Sequence, residues 1–112
     1  MKMSESLESA YSDQVTMELW ASTSYLQASA WFENKDLPGM ATWMRIQSGE
    51  ETGHALRFMD FLLARGNSLT TGTVEAPRPT FASPKAAFDL ALEQERLVTK
   101  SIRAGQRQPP AK

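Results

Sequence analysis

The chain has 112 residues, with 12 Lys+Arg against 13 Asp+Glu, one His and no Cys. That length allows one domain at most. The net charge of −1 excludes a basic nucleic-acid surface as the default reading, and the lack of cysteine excludes a disulfide framework, a zinc ribbon or a thiol nucleophile.

The opening Met1-Lys2-Met3-Ser4-Glu5-Ser6 is polar, without the apolar core of a signal peptide. No apolar run approaches the ~20 residues that span a bilayer. We therefore expect a soluble, cytoplasmic domain with neither nucleic acid nor membrane as partner.

From Ser4 to Lys35 there is no Gly and no Pro, which predicts a first helix over 5–34. Asn34-Lys35-Asp36-Leu37-Pro38-Gly39 then reads as a turn, with Asp36 placed to N-cap the next helix and Pro38 in its first turn. The second helix is expected over 37–65, closed by Gly66-Asn67. Asn67 to Ser83 is a polar connector holding Gly72, Pro77 and Pro79. Ser83-Pro84 restarts a third helix over 84–104 as N-cap and first helical residue, and Gly105 ends it. Residues 1–105 thus form one helical domain and 106–112 a flexible tail. No segment shows the alternation of a strand, although Leu69–Val74 is briefly ambiguous.

The connector is long for a helix–helix link. Fully extended it reaches about 56 Å, more than the roughly 44 Å of the second helix. It can therefore run the length of that helix and start the third parallel to it, the arrangement of a bundle with one long crossover.

Each helix carries one Glu midway along an apolar stripe. Steps of seven give Tyr11, Glu18, Tyr25 and Phe32 on the first, flanked by Val15, Ser22 and Leu26. On the second they give Met44, Glu51 and Phe58, with His54 and Leu62 on that face. On the third they give Phe88, Glu95 and Ile102, beside Ala91, Leu92 and Val98. A carboxylate on a buried face costs several kcal/mol unless it is paired or metal-bound. The basic residues Lys35, Arg57, Lys85, Arg96 and Lys100 lie off these stripes. Three such carboxylates therefore call for a shared counter-charge, and oxygen ligands with one imidazole suit iron or manganese.

Glu51-Thr52-Gly53-His54 is a Glu-x-x-His pair, whose spacing sets carboxylate and imidazole side by side on one helical face. A lone histidine there would be read as a hydrogen-bonded core residue; Glu18 and Glu95 turn the reading towards metal. Glu50 lies 100° round the helix, where a solvated or interface carboxylate fits better than a ligand. Tyr25, two turns from Glu18, is a core aromatic, or a hydrogen-bond partner or electron donor beside the metals.

These residues resemble a known family. Gln14-Val15-Thr16-Met17-Glu18-Leu19-Trp20-Ala21-Ser22, Tyr25-Leu26 and Ser29-Ala30-Trp31 look like the first helix of non-haem bacterial ferritins. Glu50-Glu51-Thr52-Gly53-His54-Ala55 with Phe58-Met59-Asp60-Phe61-Leu62 looks like the second. Pro84, Phe88, Ala91-Leu92-Glu93 and Glu95-Arg96-Leu97-Val98-Thr99 look like the third.

The resemblance implies an all-α, ferritin-like bundle of three helices with the fourth missing. It implies that Glu18, Glu51 and His54 hold one iron of a ferroxidase centre. Glu51 would bridge to a second iron that Glu95 helps hold, Glu50 would fall near a third, more labile iron, and Tyr25 would stand beside the centre. In the family such a site oxidises Fe(II) with oxygen or peroxide for storage or detoxification. The alternative expectation is a shortened, non-catalytic subunit that co-assembles with a full-length partner. Three apolar stripes without a fourth helix predict a homo-oligomer, at least a dimer. Two copies pairing through their first and second helices would gather two Glu18, two Glu51 and two His54, as in the dimeric site of the encapsulated ferritins, and leave Glu95 a separate role.

Overall fold

The computed structural model describes residues 1–104. It contains three helices, α1 (Glu5–Asn34), α2 (Pro38–Ala64) and α3 (Pro84–Ala104), each within a residue of its expected bounds. Among the described residues there is no strand, so Leu69–Val74 is resolved as irregular chain. None of these helices is long and apolar enough to cross a membrane. The expected stop at Gly105 and the tail 106–112 lie outside the described residues.

Ser4 N-caps α1, its hydroxyl accepting the Leu7 N–H at 3.3 Å. The turn after α1 corrects the expected role of Asp36. Asp36 N–H donates to Glu33 O and Leu37 N–H to Phe32 O, both at 3.1 Å, which is Schellman closure. This puts Asp36 in the left-handed region at φ 57°, so it terminates α1 rather than starting α2. The N-cap of α2 is Leu37, which makes no side-chain cap bond. The same closure ends α2 with the better residue: Gly66 has φ 77°, and Asn67 N–H donates to Leu62 O at 3.0 Å.

α1 and α2 lie antiparallel. Tyr11, Val15, Ala55, Phe58 and Leu62 form one apolar cluster. Tyr25, Ala28, Trp31, Phe32, Ala41 and Met44 form another, joined by Ala87 and Ala91 of α3. Phe32, Phe58 and Leu62 are wholly buried, each stabilising the fold by about 1.5–3 kcal/mol. Between the clusters runs a polar layer. Ser22 Oγ donates to Ser48 O at 2.9 Å, Ser48 Oγ returns a bond to Ser22 O at 2.8 Å, and Thr52 Oγ1 stands 2.7 Å from Ser22 Oγ. Small hydroxylated residues let the two backbones approach closely here without leaving polar groups unpaired.

The crossover is pinned to α1 by regular rungs. Ser68 N–H donates to Glu8, Thr70 N–H to Ser12 Oγ and Gly72 N–H to Thr16 Oγ1, at 2.7, 3.1 and 2.9 Å. Four helical residues rise about 6.0 Å and two extended residues about 6.6 Å, so the pitches match and every second amide meets a side chain one helical turn further on. The crossover thus travels in the direction of α1 and delivers α3 antiparallel to α1 and parallel to α2, as expected. Ser83 caps α3, accepting the Ala86 N–H at 3.1 Å.

The buried face of α3 differs from the expected seam. Ala87, Ala91, Gln94 and Val98 are buried, while Phe88 and Glu95 are half-buried and Leu92 is 48% exposed. Gln94 donates to Ala21 O at 3.1 Å, which fixes α3 against α1 through small residues and rolls the Phe88–Glu95–Ile102 line to the edge of the contact. Trp43 of α2 bridges to α3 there, stacked on Phe88 at 5.2 Å. Leu26, expected beside the α1 stripe, is 53% exposed because α1 turns that side away from both neighbours.

Candidate metal centre

Glu18 and Glu51 sit in the polar layer, with apolar cluster on either side along the bundle. Glu18 is fully buried and Glu51 is 3% exposed. His54 follows one turn after Glu51, and its Nδ1 lies 3.6 Å from Glu18 Oε1 and 3.6 Å from Glu51 Oε1. These separations exceed a hydrogen bond and match two donors sharing an ion at ~2.0–2.2 Å from each. One ligating atom from each of Glu18, Glu51 and His54 lies within 4.8 Å of the others.

Two buried oxygens, Glu18 Oε1 and Glu51 Oε2, have no hydrogen-bond partner. Among the described residues no Lys or Arg forms an ion pair with either carboxylate. Burial, followed by the proximity of Glu18 and the charges of Glu95 and Glu50, pushes the Glu51 carboxyl up to about 9. Without a cation, then, the pair holds a proton at neutral pH. Orphaned hard-oxygen donors with one imidazole and no organic cation fit a divalent first-row metal such as iron or manganese.

The remaining expected residues occupy distinct places. Tyr25 is 2% exposed, and its hydroxyl donates to Glu95 Oε1 at 2.6 Å. Burial and that bond raise the tyrosine well above its ordinary range, so it remains a donor. Glu95 is half-buried at the α3 edge of the site, outside the Glu18–Glu51–His54 group but within its electrostatic field. Glu50 is exposed and contributes only charge. Glu18 and Glu51 are already enclosed by their own chain, so two-fold pairing of α1–α2 faces is not needed to bury them. His54, with its side chain 38% exposed, forms the open edge.

Gln14 was not singled out in the sequence. It is fully buried, and its Nε2 donates to Glu18 Oε2 at 2.9 Å. Its signal was available: an amide one turn before a buried Glu, on the same face.

Comparison with known proteins bears on this site. The pattern of the Ferritin family, described as a ferritin-like domain, matches residues 9–108. A bacterial non-heme ferritin of Bacteroides fragilis is 34% identical over 102 residues, which cover 91% of this chain and 64% of that protein. Ferritin BfrB of Mycolicibacterium smegmatis is 34% identical over 90 residues, 80% of this chain and 50% of the relative. Among solved structures, the open-pore ferritin of the archaeon Archaeoglobus fulgidus superposes with a TM-score of 0.89 at 35% identity, over 93% of this chain and 64% of that one. The chain thus spans less than two thirds of the length of these relatives.

Proposed function

Because the chain belongs to the ferritin family, with residues 9–108 matching its domain, we propose that it binds Fe(II) at Glu18, Glu51 and His54 and oxidises it to Fe(III) for iron storage or detoxification. Iron here is substrate and cargo. Glu18 and His54 hold one ion, Glu51 bridges to a second, and Glu95 serves the second from α3. Glu50 lies beyond them as an outer carboxylate.

Two Fe(II) held close give up two electrons to one O₂; with two protons the products are two Fe(III) and hydrogen peroxide. Glu51 enters with a proton that the cation displaces. Tyr25 orients Glu95 through its hydroxyl. The apolar clusters on either side keep water from the buried carboxylates, which strengthens their attraction for a cation. Exposed Leu26, Ile46, Leu56 and Leu63 support assembly with further copies of the chain, and the reading is of a cytoplasmic protein.

The observation carrying this reading is the pair of unpartnered buried oxygens, Glu18 Oε1 and Glu51 Oε2, the first of which faces the His54 imidazole across an ion-sized gap. Aerobic Fe(II) oxidation by the full chain, followed at the Fe(III) absorbance, tests it. Wild type is expected to exceed buffer autoxidation, and Glu51→Ala and His54→Ala to fall to the buffer rate. Wild-type Fe(II) binding without oxidation would favour the non-catalytic subunit; no binding at all would reduce the site to a buried polar cluster.

A further inference from the structure

We propose that Gln14, held by Ser101 of α3, is a positioning residue that commits Glu18 to present a single oxygen to the metal centre; this rests on the metal reading above. An amide has a donor end and an acceptor end. Gln14 Nε2 donates to Glu18 Oε2 at 2.9 Å, and Ser101 Oγ donates to Gln14 Oε1 at 3.0 Å. The acceptor-only carboxylate sets the amide with its N–H towards Glu18, since the flipped amide would put oxygen against oxygen there, and the Ser101 hydroxyl holds the amide's other end in place.

Gln14 and Glu18 are both wholly buried, so water does not compete for the bond between them. The consequence falls on Glu18. Oε2 spends a lone pair on Gln14, whereas Oε1 is the oxygen without a partner and the one 3.6 Å from His54 Nδ1, which makes Oε1 the better donor to an ion. Rotation of the carboxylate to offer both oxygens equally to one ion would stretch or break the Gln14 bond inside a buried site. Glu18 is thereby held as a one-oxygen ligand on the His54 side, and α3, through Ser101, helps to fix a ligand on α1. Partners of this kind, one bond behind a ligand, typically change metal affinity by about 10–100-fold when removed.

Co(II) is the probe, added to the full chain and followed by its visible absorption, whose intensity and position report coordination number. We expect Gln14→Leu to bind Co(II) about 10–100-fold more weakly, with bands displaced towards higher coordination as Glu18 offers its second oxygen. Ser101→Ala should weaken binding by a smaller factor and displace the bands in the same sense, and Ser101→Thr, which keeps the hydroxyl, should behave as wild type. A merely structural role would lower the melting temperature without moving the bands. If Gln14→Leu fails to fold, the Ser101→Ala and Ser101→Thr pair decides. Wild-type affinity and spectrum in both Gln14→Leu and Ser101→Ala would overturn the proposal while leaving the metal reading intact. Absence of Co(II) binding by wild type would overturn both.

Discussion

The Tyr25 hydroxyl donates to Glu95 Oε1 at 2.6 Å, joining residues 70 apart in sequence and tying α3 to α1 at the level of the candidate metal centre. A buried phenol needs an acceptor, and a carboxylate is the strongest one available. Together with Gln94 on Ala21 O, it fixes the height at which α3 docks. Glu95 is thus held beside Glu51 even though it does not join the Glu18–Glu51–His54 group.

Tyr25→Phe keeps the ring and its edge contact with Trp43 and removes only the hydroxyl. We expect a loss of about 1.5–3 kcal/mol, the scale of a hydrogen bond to a charged group, read by urea unfolding of the apo chain. A change below about 0.5 kcal/mol would mean that water replaces the phenol at Glu95 without cost.

Metal affinity should climb with pH. Glu51 is raised to about 9 by burial and its acidic neighbours, and a cation must displace that proton. Between the ordinary carboxylate range and pH 9, binding therefore releases one proton, and affinity rises about tenfold per pH unit before levelling off. Zn(II) calorimetry in two buffers of different ionisation enthalpy measures the proton released. A pH-independent affinity from pH 6 to 8 would place that proton elsewhere.

The helices and the Glu18–Glu51–His54 group were legible in the sequence for separate reasons. Gly and Pro punctuate the chain only at its turns, so the bounds of α1, α2 and α3 followed directly. Glu18 and Glu51 stood out as charges on apolar stripes. The roll of α3 was hidden because Phe88, Leu92 and Ile102 look more like a core than Ala87, Ala91 and Gln94 do; close approach of α3 to α1 favours the small residues. Asp36 misled because the same residue type serves an N-cap and, less well, a left-handed helix end. Ser101 was invisible for another reason: its partnership with Gln14 spans 87 residues and leaves no periodic trace.

Asp36 offers a stability test. Its φ of 57° costs a non-glycine residue about 1–2 kcal/mol, partly offset by the extra freedom glycine has when unfolded. Asp36 is exposed, so Asp36→Gly should raise stability by about 0.5–1 kcal/mol. Gly66→Ala, at φ 77° with open space around its Cβ position, should lower stability by a similar amount. Melting temperatures of the two variants moving in the same direction would contradict the backbone argument.

Glu51→Gln separates the cost of the site from its use. In the apo chain Glu51 carries a raised proton affinity in the folded state, so folding takes up a proton above the ordinary carboxylate range. Apo wild type must therefore lose stability as pH rises towards 9, because the folded state binds more protons than the unfolded one in that window. A glutamine has nothing to titrate, and its NH₂ can donate to the unpartnered Glu18 Oε1. Glu51→Gln should thus melt higher than apo wild type, with a margin that widens from pH 5 to pH 9. Metal should reverse the order. An ion that binds only the folded chain stabilises it by mass action, so Zn(II) or anaerobic Fe(II) should raise the wild-type melting temperature and leave Glu51→Gln almost unmoved. If the variant instead melts lower than apo wild type at pH 8, the carboxyl pair is a stabilising hydrogen-bonded element in its own right. A full metal-induced rise in the variant would mean that Glu18 and His54 bind the ion without Glu51.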